Sequence, residues 1–120
     1  MVTEDYVSFE TAKLLEEKGF DWNCESKRFY PEPDYDQESP NGVYAPTLQM
    51  AMKWLREVYN LFISISTWLR HKDGTVQYCY EIRNLNNKDF ETIAGSTIAE
   101  FDSPEKTYEA AIMCCLKNLI

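Results

Sequence analysis

The stretch from Pro46 to Leu85 constrains the fold of this chain more than any other. An apolar helical segment, PTLQMAMKWLREVYN, feeds into LFISISTWLR, then HKDG, then TVQYCYEIRNL. That order predicts a helix, a strand, a tight turn and a returning strand. Asp73-Gly74 has the composition of a two-residue type I′ turn, in which both central residues need positive φ. Counting outward pairs Lys72 with Thr75, Leu69 with Tyr78, Thr67 with Tyr80 and Ile65 with Ile82. On the other face Arg70 meets Gln77, Trp68 meets Cys79, Ser66 meets Glu81 and Ser64 meets Arg83. One register thus sorts both strands into an apolar face and a mostly polar one, and a slip of one residue would mix them.

The flanking segments supply helices. Ser8 is an N-cap with Val7 before it, and Phe9, Ala12 and Leu15 form a stripe with Leu14 beside it. Gly19 stands where a left-handed C′ residue belongs, with Phe20 placed to fold back on Leu15 as in a Schellman ending. Thr47 caps a second helix that Asn60 stops. Leu48, Ala51, Met52, Leu55, Val58 and Tyr59 make its stripe, which Met50 and Trp54 widen toward a second neighbour. Ser103-Pro104-Glu105 opens a third, with Tyr108, Ala111, Ile112, Cys115, Leu116 and Leu119 on one face.

Residues 21–45 are the least regular part: either CESKRFY and GVYA are short strands of a small surface ribbon around the loop PEPDYDQESPN, whose prolines deny it regular structure, or the segment is an irregular excursion. After the hairpin, Asn86-Asn87-Lys88 turns the chain into FETIA (90–94) as a third strand, with TIAEF (97–101) as an alternative or addition. The order reads as one α+β domain over 1–120. A small antiparallel sheet (hairpin about 61–85 plus a third strand) carries three helices, about 8–18, 47–59 and 104–119, mainly on one face. A chain of 120 residues is long enough to bury such a core without staples.

Charge narrows the partners. The net charge is -8, distributed as -7 over residues 1–40, +3 over 41–88 and -4 over 89–120. So acidic a chain disfavours nucleic-acid binding, which depends on neutralising phosphates. No run approaches the ~18 apolar residues of a membrane span. MVTEDYVSFE has no basic n-region or apolar h-region, so a cytoplasmic protein with reduced thiols is expected.

Catalytic chemistry has few residues to draw on. His71 is the sole histidine, so a nucleophilic scheme must pass through it. The expected register sets it opposite Val76, away from Cys79, and leaves it as an exposed residue beside the turn. Cys24, Cys79, Cys114 and Cys115 form no CxxC pair, and adjacent Cys114 and Cys115 on a helix diverge; buried small hydrophobes are the expectation. Glu32-x-Asp34-x-Asp36 is spaced like a calcium loop, but Gln37 stands at the glycine position and Val43 at the bidentate glutamate. The glycines (Gly19, Gly42, Gly74, Gly95) are isolated and read as turns or caps. Neither a cofactor, a metal nor a catalytic set is expected.

Aromatic residues among charges stand out instead: Trp22, Phe29, Tyr30, Tyr35 and Tyr44 around the ribbon, and Trp68 on the polar hairpin face. That is the composition of contact surfaces. The candidate interaction surface is Trp68, Arg70, Glu81 and Arg83 with Tyr30 and Tyr35. The competing expectation is that the ribbon covers the far face of the sheet within one chain.

Three segments, YVSFETAKLLEEKGF, APTLQMAMKWLREVYN and TYEAAIMCCLKNLI, resemble a family of small acidic proteins of gut-bacterial phages and prophages. They cover under half the chain, in order, and the chain departs from the pattern in the acidic loop and around 86–100. The resemblance implies a phage-associated setting inside a host cell and brings no activity or site residues. The combined expectation is a non-enzymatic accessory protein that binds another protein or itself as a homodimer. The rivals are an acidic nucleic-acid mimic that blocks a DNA-handling enzyme, and a small-molecule binder with a pocket between sheet and helices.

Overall fold

The computed structural model describes residues 5–22, 27–31, 42–70, 72–86, 92–95 and 101–120; of residues 31 and 68–70 it describes the backbone alone. The fold is α+β. Its elements run α1 (Phe9–Glu17), β1 (Lys27–Pro31), β2 (Gly42–Pro46), α2 (Leu48–Tyr59), β3 (Leu61–Arg70), β4 (Val76–Asn84), β5 (Thr92–Gly95) and α3 (Pro104–Cys114), which continues as a π-helical turn over Cys115–Leu119. β1 and β2 form an antiparallel ribbon, and β3, β4 and β5 a three-stranded antiparallel sheet with β4 central.

Helix ends follow local chemistry. The side-chain oxygens of Ser8, Thr47 and Ser103 accept the N–H groups of Thr11, Met50 and Lys106, three donors that no helix can satisfy from within. Gly19 has φ +95°, Phe20 N–H donates to Leu15 C=O at 2.9 Å and Gly19 N–H to Glu16 C=O at 3.1 Å. Those two bonds are a Schellman ending. Asn60 is left-handed at φ 59° and turns α2 straight into β3.

α2 and α3 pack on the inner face of the three-stranded sheet, while α1 packs on β2 and α3. The shared core includes Leu15, Leu55, Ile82, Ile112 and Leu116, all essentially without solvent contact. Trp54 is at its centre rather than at the margin of the stripe, edge-on to Phe20 and Tyr59 at centroid distances of 5.4 and 5.2 Å. Val58, expected in the stripe, is exposed.

The hairpin keeps its faces and changes its register. Ile63 pairs with Ile82, Ile65 with Tyr80, Ser66 with Cys79 and Thr67 with Tyr78, a slip of two residues from the expected partners. Two is even, so the alternation survives: Ile63 and Ile82 are buried inward, while Ser66 and Arg83 share the outer face and are exposed. The cause is the turn. Asp73 has no positive φ, and only Gly74 does, at +90°. The Asp73 carboxylate accepts the Thr75 N–H at 3.0 Å and its hydroxyl at 2.7 Å, an Asx turn that lengthens the connection beyond two residues. A bulge between Thr67 and Leu69 absorbs the remainder, leaving Leu69 opposite Gln77 and Arg70 opposite Val76.

Three further differences stand. The described part of the third strand is Thr92–Gly95, one residue past the expected 90–94, and Phe101 bridges to Tyr78; residues 90, 91 and 96–100, on which the start of the first expected strand and most of the one over 97–101 fall, lie outside the described residues. The last helix turns π-helical at Cys115. Gly42 is a strand residue, not a turn: a Cβ there would collide with the Tyr30 carbonyl and the Phe29 ring.

A long-range polar contact joins α3 to α1. One Glu109 carboxylate oxygen accepts the buried Thr11 hydroxyl at 2.6 Å and the Ser8 N–H at 2.9 Å. Truncating it in Glu109→Ala leaves these donors short of a partner and is expected to lower unfolding free energy by about 1–3 kcal/mol in urea melts. Glu109→Gln, which retains an acceptor, loses less. Gly42→Ala is expected to destabilise by more than about 1 kcal/mol in the same melts, because backbone and ring would both have to shift.

Candidate functional site

The sequence gathers its best interaction surface on the outer face of the hairpin, and among the described residues the fold leaves that face without a helix. α2 and α3 lie on the inner side, and the ribbon packs on α1. Period-2 alternation places Phe62, Ser64, Ser66, Cys79, Glu81 and Arg83 on the outer row, with Leu85 in the turn just past the end of β4. Phe62 is 40% exposed and Leu85 37%, and Phe62 pairs directly with Arg83. Arg83 reaches Glu81 on its own strand at 3.1 Å, both side chains close to half exposed, so the pair orients two charges more than it stabilises the fold.

The expected members of the patch are only partly brought together. Glu81 and Arg83 are adjacent. The bulge breaks the row that was to join them to Arg70, whose register partner is Val76 instead of Gln77. The side chains of Trp68 and Arg70 lie outside the described residues, as do Tyr35, His71 and the acidic loop over 32–41. Tyr30 serves the fold itself. It is half-buried, donates its hydroxyl to Val7 C=O at 3.0 Å and stands edge-on to Phe9.

The ribbon presents a second aromatic group. Cross-strand partners Phe29 and Tyr44 pack with centroids 5.1 Å apart and remain 42% and 59% exposed. Lys27 Nζ sits 4.7 Å over the Tyr44 ring, within cation–π range. Behind them a cleft of about 250 Å³ opens between α1 and the ribbon, walled by Phe20, Trp22 and Tyr44 with Glu16, Asp21 and Lys27 at its edge.

Two thiols, Cys79 and Cys115, are buried. Cys79 is buried although it belongs to the outer row, within 3.2 Å of the Ser66 hydroxyl. Burial pushes the Cys115 thiol up to about 12, the neighbouring Cys114 adding to the effect. At neutral pH Cys115 is therefore a protonated core side chain, not a nucleophile. Among the described residues, no group of three His, Cys, Asp or Glu side chains stands together as metal ligands do. Nor, among them, is any helix long and apolar enough to cross a membrane.

Sequence reasoning missed Glu109 and the basic side of α2, Lys53 and Arg56. Glu109 has no local signal, since its partners are on another helix; the two bases were visible only as part of a diffuse positive middle. Comparison with protein-family models, with curated proteins and with solved structures finds no match.

The passivity of Cys115 is directly measurable. Iodoacetamide at pH 8 is expected to leave it unmodified in the native protein and to label it fully in denaturant, as read by peptide mass spectrometry. Rapid native labelling of Cys115 would contradict its burial.

Proposed function

We propose that this protein is a non-enzymatic accessory protein that acts by binding another protein or a second copy of itself, through the helix-free face of its three-stranded sheet. The observation that carries the reading is Phe62 and Leu85 exposed beside the Glu81–Arg83 pair. Water accepts the serines and charges of this face at little cost, but two large apolar side chains there gain by being covered. The aromatic pair on the ribbon, Phe29 and Tyr44, is a second contact of the same composition. The sequence resemblance adds a phage-associated setting in a host cytoplasm to this reading.

A small-molecule binder is favoured by one observation, the aromatic-walled cleft beside α1. Its volume of about 250 Å³ is below the ~300–1,000 Å³ of most ligand pockets. The cleft therefore fits a small group or one side chain better than a cofactor.

Light scattering for the mass in solution, with retention of host proteins on immobilised chain, tests the surface. The double variant Arg83→Glu/Leu85→Ser alters exposed side chains only and should keep the thermal midpoint. It is expected to weaken dimerisation or partner retention about tenfold or more. Unchanged mass and unchanged retention in a folded variant would remove this face as the binding surface.

A further inference from the structure

The three-stranded sheet has a second unsatisfied feature, distinct from its outer face. β3 is an edge strand whose backbone bonds, among the described residues, go to β4 alone. Alternate residues of an antiparallel edge strand turn their N–H and C=O groups away from their partner, which leaves a row of donors and acceptors open. Natural edges are blunted by proline, lysine or shortness. β3 has ten residues, no proline, and no charge before Arg70.

A groove of about 170 Å³ runs along the start of this edge, lined by Leu61, Phe62 and Ile63. Successive strand side chains point to opposite faces, so a groove touched by three consecutive residues straddles the edge rather than lying over either face. Its other wall is α2, contributing Gln49, Lys53 and Arg56, with Tyr108 of α3 behind. Lys53 and Arg56 are exposed and make no ion pair among the described residues. Among those residues no carboxylate lines this groove, in a chain of 20 acids and 12 bases.

We infer that the free edge of β3 is a strand-addition site for an extended acidic segment of a partner protein. The added strand pairs its backbone with β3 and sets acidic side chains beside Lys53 and Arg56. Backbone pairing supplies affinity without sequence preference, and the two bases select acidic over basic segments. Phe62 borders both surfaces, but the site does not rest on the outer-face reading, because it uses the backbone edge and α2 rather than Glu81, Arg83 and Leu85.

The test uses the full chain and a fluorescent probe peptide of about eight residues alternating Val or Thr with Glu, long enough for one strand. Expected results are saturable binding and slowed hydrogen exchange at alternate amides of 61–67. Affinity should fall about tenfold or more in Lys53→Glu/Arg56→Glu, a change confined to exposed helix positions, and also as salt rises. N-methylating alternate residues of the probe should cost about thirtyfold, the loss of two or more hydrogen bonds. Arg83→Glu/Leu85→Ser should bind the probe as wild type does. Four outcomes would overturn the inference: no binding at about 1 mM probe, which is weaker than a ~4 kcal/mol interaction; equal binding of a Lys-alternating peptide; equal binding of the N-methylated probe; or β3 amides already protected in a concentration-dependent dimer, which would give the edge to a second copy.

Discussion

The first helix is held in place by the last. Glu109 of α3 receives the Ser8 N–H and the Thr11 hydroxyl at the start of α1, and at its other end Lys18 Nζ donates to Ile120 C=O at 3.1 Å. A carboxylate at a helix N-terminus answers donors the helix cannot satisfy and sits favourably in its dipole. In a capping box the acid comes from the third residue of the same helix, whereas here that residue is Thr11 and the acid is supplied across the core. The ribbon rides on this arrangement. β2 packs on α1, Val7 N–H donates to Pro46 C=O, and the Tyr30 hydroxyl returns to Val7.

Because α1 is committed to the ribbon and to α3, two helices remain for the three-stranded sheet, and both lie on its inner face. Among the described residues the sheet is therefore left with a bare outer face and a bare edge at β3. These differ physically. The outer face offers side chains, Phe62 and Leu85 among serines and an ion pair, and gains from burial of apolar area. The edge offers backbone groups whose bonds to water are already good, so pairing gains little per bond and depends on several forming together.

What was legible in the sequence was local or periodic. Ser8, Thr47 and Ser103 cap because a side-chain oxygen next to an orphan N–H has the same consequence in any fold, and Gly19 and Asn60 end helices because they accept positive φ. The two hairpin faces were legible because parity survives any even slip. Register was not: it depended on whether Asp73 would take positive φ or use its carboxylate on Thr75, a competition of order 1 kcal/mol that composition does not decide. The patch of Trp68, Arg70, Glu81 and Arg83 inherited that ambiguity, and the bulge removed Arg70 from its row. Glu109 and Gly42 were beyond reach for a common reason: the groups that make them necessary are Thr11, Ser8, Phe29 and Tyr30, distant in the chain.

The uneven charge acquires a meaning once it is placed on the fold. The positive middle segment contains α2 and β3, which border the open edge, and β4 on the far side of β3. With a screening length of about 8 Å at physiological salt, Lys53 and Arg56 act on what touches the groove and scarcely beyond it. Their attraction is thus a filter at contact more than a long-range pull. On the proposed strand addition, that contact filter is what lets a sequence-blind backbone interaction prefer an acidic segment.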